Sequence, residues 1–431
     1  MRVDIVHPGA GQIAYEIRGI VDFADKLAAT GIEITWENIG DPVAKGEEVP
    51  AWIKEIVSAE VTKNKSYAYS PTKGLAEARA FLSEKRSHET NTKLSVDDIL
   101  FFNGLGDAIN KVYTWLNPVA RVLGPSPAYP THSSIEAAHG RSAHLTYKLD
   151  VDNEWMPNME DIERQVAENN NIAGLLIINP DNPTGAVFPR QVLQRFVDIA
   201  KKYKLFLIAD EIYANLAYDP TAFFSIARLA DGVPTIVMRG LSKEVPWPGS
   251  RCGWLEFHNL TADKSFARYA QSILEAKMTE VCSTTLPQSV LPAILGDSRY
   301  EGHLANRRTK YQKRAKEAYE TLRPSENCKV VISKGAFYFS PTFTNDFVEK
   351  PFNLKAANPE AQKLLDAVLA ETPLQDFDKR FCYHLMASTG ICVVPLSTGF
   401  NSHVPGFRMT LLESDDTKFS DTLKKINMAL S

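Results

Sequence analysis

Unbroken apolar runs recur between about residue 97 and residue 257: Ile99-Leu100-Phe101-Phe102, Gly174-Leu175-Leu176-Ile177-Ile178, Leu205-Phe206-Leu207-Ile208 and Thr235-Ile236-Val237-Met238. Runs this short, with no polar residue alternating, predict strands covered on both faces. Stretches with a helical period lie between them. Over residues 191–203, Val192, Leu193, Phe196, Val197, Ile199 and Ala200 line one side and Lys201-Lys202 close the end, which predicts a helix. Strands alternating with helices mean an α/β sheet.

The two ends of the chain have another texture. Residues 307–322 read as a charged helix, followed by short strands such as Val330-Val331-Ile332. These features predict a smaller α+β domain built from residues 1–48 and 297–431, beside a large domain of residues 49–296. Residues 341–377 are rich in Asn, Lys, Glu and Pro ahead of an amphipathic stretch at 362–369, and could be an insertion or a lid. No repeat or low-complexity tract interrupts the pattern.

Composition narrows the function classes. A length of 431 residues allows two to four domains, and the 44% apolar and 23% charged residues are those of an ordinary soluble protein. Lys plus Arg is 48 against 52 for Asp plus Glu, a net charge of −4. No positive field is available to gather nucleic acid. The five cysteines form no CxxC pair, which suits reduced thiols and makes a structural zinc site unexpected. The start, Met1-Arg2-Val3-Asp4-Ile5-Val6-His7-Pro8, lacks the apolar core of a secretory signal, and no run is long enough to cross a bilayer. The expectation is a cytoplasmic protein that binds neither membrane nor nucleic acid.

Three strand ends carry candidate chemistry. The run at 174–178 breaks into Asn179-Pro180-Asp181-Asn182-Pro183-Thr184-Gly185. This reads either as a well-built turn or as a ligand site at the carboxyl end of a strand. The run at 205–208 continues into Ala209-Asp210-Glu211-Ile212-Tyr213; Asp210 either caps the next helix or meets a cation, because a lone buried carboxylate is costly. After the run at 235–238 comes Arg239-Gly240-Leu241-Ser242-Lys243, then Arg251. A lysine is ordinarily a solvated surface charge, but an amine in the same layer of strand ends as Asp210 can lose its proton through desolvation and neighbouring positive charge. It then becomes a nucleophile towards an aldehyde.

Asn182, Asp210, Tyr213, Lys243 and Arg251 together resemble the site of the fold-type I, class I/II aminotransferases, which use pyridoxal 5′-phosphate. The family strings NPxNPTG, DExY and SK with a following arginine stand here as Asn179 to Gly185, Asp210 to Tyr213, and Ser242-Lys243 with Arg251. Asn38-Ile39-Gly40-Asp41-Pro42 and Gly406-Phe407-Arg408 extend the likeness over nearly the whole chain. The resemblance implies a mostly parallel seven-stranded sheet between helices, plus a smaller α+β domain. It implies that Lys243 holds the cofactor as a Schiff base and moves the substrate proton, that Asp210 pairs with the pyridinium nitrogen, and that Tyr213 and Asn182 hydrogen-bond the ring oxygen. Ser242 lies beside the cofactor. Leu105 and Gly106, opening a helix after Asn103-Gly104, offer backbone N–H groups to the phosphate, with the Arg251 fork. Gly240 stands where aspartate aminotransferases carry a serine, so one phosphate contact is missing.

Tyr129 matches the aromatic that stacks on the ring, against the alternative of a core aromatic. Tyr69 matches a tyrosine that reaches the phosphate of a neighbouring subunit, which implies a homodimer. Arg408 matches the bidentate partner of the substrate α-carboxylate, with Gly40 approaching through its backbone and Asn182 nearby. Residues 280–287 carry no arginine for a second carboxylate. The motifs look most like the alanine and tyrosine aminotransferase branch, and Tyr15 could cover the substrate side chain. A small or apolar L-amino acid with 2-oxoglutarate is the favoured pair. A Cys-S β-lyase, an aminocyclopropane-carboxylate-synthase-like enzyme and a non-catalytic cofactor-binding regulator are the alternatives; the last lacks a basic DNA-binding segment here.

Overall fold

The computed structural model describes residues 5–13, 16–350, 352 and 354–431. Each apolar run becomes a strand of one large sheet. Its order is Ile99–Asn103, Cys252–His258, Thr235–Gly240, Phe206–Asp210, Ile172–Ile178, Arg121–Ser126, Thr146–Asp150, Met156–Pro157. The neighbours from Thr235–Gly240 through Thr146–Asp150 pair in parallel, whereas Cys252–His258 runs antiparallel to both of its neighbours. Eight strands are present against the seven expected. The additional one, Met156–Pro157, is two residues long and antiparallel to Leu149-Asp150 at the sheet edge, where a proline's missing N–H costs no ladder bond.

The absence of polar alternation has its predicted cause. Leu175, Ile177 and Leu207 face a core with Ile162, Leu193 and Phe196, while Leu176, Ile178 and Ile208 face the opposite core with Ile109, Val112 and Phe266. Successive residues of a strand point to opposite faces, so a sheet covered twice has no polar side. The helix expected at 191–203 spans Arg190–Tyr203 and ends on Lys204 in the left-handed conformation.

The ends of the chain meet each other. Helix Glu16–Ala28 packs on Phe377–Thr389, with the rings of Phe23 and Tyr383 at 4.8 Å, and Thr35–Trp36 pairs in parallel with Ile391–Cys392. Phe407–Thr410 lies between Tyr338–Phe339 and Val394–Pro395, antiparallel to both. The strand expected at 330–332 is instead Cys328–Lys329, paired with Thr342–Phe343. One step further the register would set Val330 against Pro341, which has no N–H to donate. Described residues of the 341–377 stretch contribute to the core: Phe343 lies 4.9 Å from Phe381 and 5.3 Å from Phe347 by ring centroids, and Leu365 of helix Pro359–Glu371 is buried. The charged helix spans Tyr300–Leu322 and buries Arg307, Arg308 and Arg314, which pair with Glu47, Glu301 and Asp416.

A buried ionic cluster braces the strand ends. Arg86 of helix Ala76–Thr90 lies 2.9 Å from Glu256 and 2.6 Å from Glu89, and Arg239 lies 2.7 Å from Glu211. Each carboxylate is held where its desolvation is offset by a guanidinium. Arg86→Ala leaves Glu256 without its closest cation and lowers the unfolding free energy by about 3–5 kcal/mol, measured by urea titration.

Candidate active site

Three adjacent parallel strands deliver the chemistry to one edge. Ile178 pairs with Asp210, and Asp210 with Met238, so the segments leaving these strands start side by side, about 5 Å apart. Asp210 is 4% exposed. Its Oδ1 accepts the Ile212 N–H at 3.1 Å, and its Oδ2 is 3.2 Å from Nε2 of the buried His132. His132, on helix Pro130–Gly140, faces the Tyr113 hydroxyl at 3.5 Å with its other nitrogen. The carboxylate is therefore aimed by a second buried group rather than spent on a helix cap.

The turn after Ile178 is both well built and open to a ligand. Asn179 Oδ1 accepts the Phe188 N–H at 2.9 Å, and Asp181 Oδ2 accepts from the Thr184 N–H and hydroxyl at 3.0 and 2.5 Å. Burial pushes the Asp181 carboxyl up to about 7, against those hydrogen bonds. Gly185 has φ +72°, and a Cβ there would meet Ser333 at 2.6 Å. This framework holds Asn182 at 4% exposure, with an Oδ1 that has no hydrogen-bond partner among the described residues. A buried acceptor without a donor marks a place where a ligand or water completes the structure.

Lys243 lies on the short helix Leu241–Glu244, next to Ser242. Its Nζ donates to the Gly40 carbonyl at 2.6 Å. Burial brings the amine down to about 8, with Arg408 and Arg251 pushing the same way and Asp41 and Asp210 opposing. Tyr213 is buried, its hydroxyl 2.9 Å from that of Tyr338. The Tyr129 ring stands edge-on to His132 at 6.4 Å.

Helix Leu105–Thr114 opens directly after Gly104, which has φ +82°; a Cβ there would lie 2.5 Å from Arg251 Nη2. That guanidinium also donates to the Asn103 carbonyl at 3.3 Å, so it sits at a helix start whose first N–H groups, those of Leu105 and Gly106 among them, favour an anion. Arg408 is 2% exposed and donates to the Asn38 carbonyl at 2.5 Å, its guanidinium 4.6 Å from the Tyr338 ring centroid. Of the expected residues, Tyr69 is 85% exposed in the single chain, and Tyr15 lies outside the described residues.

Several participants escaped the sequence reading. His132, Tyr338 and Asp41 are among them, as is Arg307, which donates to the carbonyls of Lys243 and Glu244 at 2.5 and 3.0 Å. Tyr338 stands within Ala336-Phe337-Tyr338-Phe339, a run that reads as core. Only the nearness of Tyr213 gives its hydroxyl a meaning. A separate cleft of about 1190 Å³, lined by Trp115, Phe206, Lys204 and Arg268 among others, opens near the amino ends of the sheet strands, away from these groups.

The family model "Aminotransferase class I and II" matches residues 37–415. An uncharacterized aminotransferase of Methanocaldococcus jannaschii is 47% identical over 98% of both chains. A glutamate-pyruvate aminotransferase of Escherichia coli is 28% identical over 84% of this chain and 86% of its own. The solved alanine aminotransferase of Pyrococcus furiosus, 23% identical, has the same fold, with a TM-score of 0.85 over 98% of both chains. The chain belongs to the class I and II aminotransferases, and it is a pyridoxal-phosphate-dependent enzyme.

The residues present fit that cofactor. Asn182 is a buried amide at a strand end, Gly104 leaves room for the Arg251 fork at a helix start, and Asp210 is a buried carboxylate aimed by His132. Lys243 supplies an amine that is half neutral at about pH 8. In cofactor-free protein, Lys243 should react with trinitrobenzenesulfonate with a midpoint near pH 8. Arg408→Met, by removing a cation, should raise that midpoint, and Asp41→Asn should lower it. Peptide mass spectrometry across a pH series reads all three.

Proposed function

We propose that the enzyme moves the amino group of a small or apolar L-amino acid, alanine-like in the first instance, to a 2-oxo acid such as 2-oxoglutarate, in two ping-pong half-reactions. The observation that carries this reading is the Lys243 amine, lowered to about 8 and set between the Asp210 strand end and the Gly40–Arg408 side of the site. The bound cofactor supplies an electron sink for the pair left when the substrate Cα–H bond breaks.

The chain's own groups do the rest. Lys243 Nζ would hold the cofactor through its aldehyde and would take the proton from the substrate Cα. Asp210, oriented by His132, would keep the ring nitrogen protonated. Tyr213 and Asn182 would hydrogen-bond the ring oxygen, Tyr129 would cover the ring, and Leu105, Gly106, Ser242 and Arg251 would hold the phosphate end. Arg408 binds the α-carboxylate through a charge-assisted fork, with the Gly40 backbone and Asn182 beside it. Tyr15 is assigned to the side-chain end of the substrate.

Two supports favour a small apolar substrate. Residues 280–287 offer no cation for a distal carboxylate, and the Escherichia coli relative is named for glutamate and pyruvate. Residues 1–48 and 297–431 form the smaller domain, so a substrate bridging Arg408 and Lys243 draws it towards the large domain of residues 49–296. The exposed Tyr69 completes the phosphate site of a second copy, making the working unit a homodimer. Reduced thiols suit a cytoplasmic setting; among the described residues no helix is long and apolar enough to cross a membrane.

A panel of amino donors with 2-oxoglutarate should give its highest kcat/KM with alanine-like donors and low values with aspartate. Cystathionine without an added oxo acid should yield no pyruvate and ammonia. Lys243→Ala should lose turnover while still binding cofactor noncovalently, and borohydride should fix cofactor to the Lys243 peptide of the wild type alone. Failure of that fixation removes the mechanism.

A further inference from the structure

Tyr338 stands where the substrate side of the site meets the cofactor side. It lies on Tyr338–Phe339, opposite Thr410 in the strand that carries Arg408, and is 2% exposed. Three contacts define its phenol. Its hydroxyl lies 2.9 Å from the Tyr213 hydroxyl. A Cβ on Gly40 would lie 2.3 Å from that oxygen, and the next nearest atoms, at 3.3 and 3.4 Å, belong to the same phenol ring. The Arg408 guanidinium lies over the ring, 4.6 Å from its centroid.

Burial pushes the Tyr213 hydroxyl well above the ordinary tyrosine value, so it keeps its proton. Only one of the two phenols can donate within the pair. A cation over the Tyr338 ring is attracted to its electrons and draws density from its oxygen, which makes Tyr338 the better donor. We propose that Tyr338 donates its hydroxyl proton to Tyr213 and thereby directs the Tyr213 proton to the cofactor ring oxygen, with Gly40 kept free of a side chain so that the phenol can reach. Tyr338 is thus a positioning residue that acts through Tyr213, and its role rests on the hydrogen bond proposed between Tyr213 and the cofactor ring oxygen.

A donor behind a donor strengthens it, because linked hydrogen bonds polarise one another. Tyr338 therefore favours the deprotonated ring oxygen. The other groups acting on the pair are Asp210 and Tyr129 from the large-sheet side, Arg408 over the Tyr338 ring, and Lys243, whose Nζ lies 5.7 Å from the adjoining Phe337 ring centroid.

The test is a pH titration of the visible absorption of pyridoxal-phosphate-loaded enzyme. Tyr338→Phe should raise the midpoint by about half a unit, roughly threefold tighter proton binding, as expected for one neutral hydrogen bond. Gly40→Ala, whose methyl displaces the phenol, should move it in the same direction. The double variant should move it no further than Tyr338→Phe alone, because the atom that the methyl meets is gone. It should also recover amino-acid KM relative to Gly40→Ala. A midpoint unmoved in Tyr213→Phe overturns the role of Tyr213 itself. A midpoint moved in Tyr213→Phe but unmoved in Tyr338→Phe, or shifts that add in the double variant, overturns the Tyr338 proposal alone.

Discussion

Parallel pairing of three neighbouring strands is the constraint from which the site arises. Parallel neighbours send their carboxyl ends to one edge, so the turns leaving Ile172–Ile178, Phe206–Asp210 and Thr235–Gly240 cannot avoid one another. Each turn carries a different group: an amide at Asn182, a carboxylate at Asp210, an amine at Lys243. Their separation is set by hydrogen-bond geometry between strands rather than by side-chain packing. The same pairing requires crossover helices, and these cover both faces and remove polar residues from the strands.

Placing charge at that edge has to be offset, and the chain does so in two ways. Below the strand ends, Arg86, Glu256, Arg239 and Glu211 meet as complementary ions. In the site itself compensation is left incomplete: Lys243 has carboxylates and guanidiniums within electrostatic reach, and burial brings its amine down to about 8. The first arrangement holds structure, and the second leaves an amine able to react.

Much of this was legible in the residues because strand period and strand-end motifs are local signals. The four apolar runs, the helix at 190–203 and the turn from Asn179 to Gly185 depend on neighbours within about ten positions, as secondary structure does. What was not legible depends on distant pairing. Cys328–Lys329 replaces the strand at 330–332 because of where Pro341 falls opposite it. The charged helix pattern at 307–322 did not reveal which acids face its arginines; Glu47, Glu301 and Asp416 lie against Arg307, Arg308 and Arg314. His132 carries no motif at all, and its meaning comes only from Asp210, 78 positions away.

Arg307 links two parts that chemistry alone would treat separately. Its guanidinium grips the carbonyls of Lys243 and Glu244 and pairs with Glu47, on the loop that carries Gly40. The backbone that carries the amine and the loop that carries Gly40 thus share one anchor, a single planar cation.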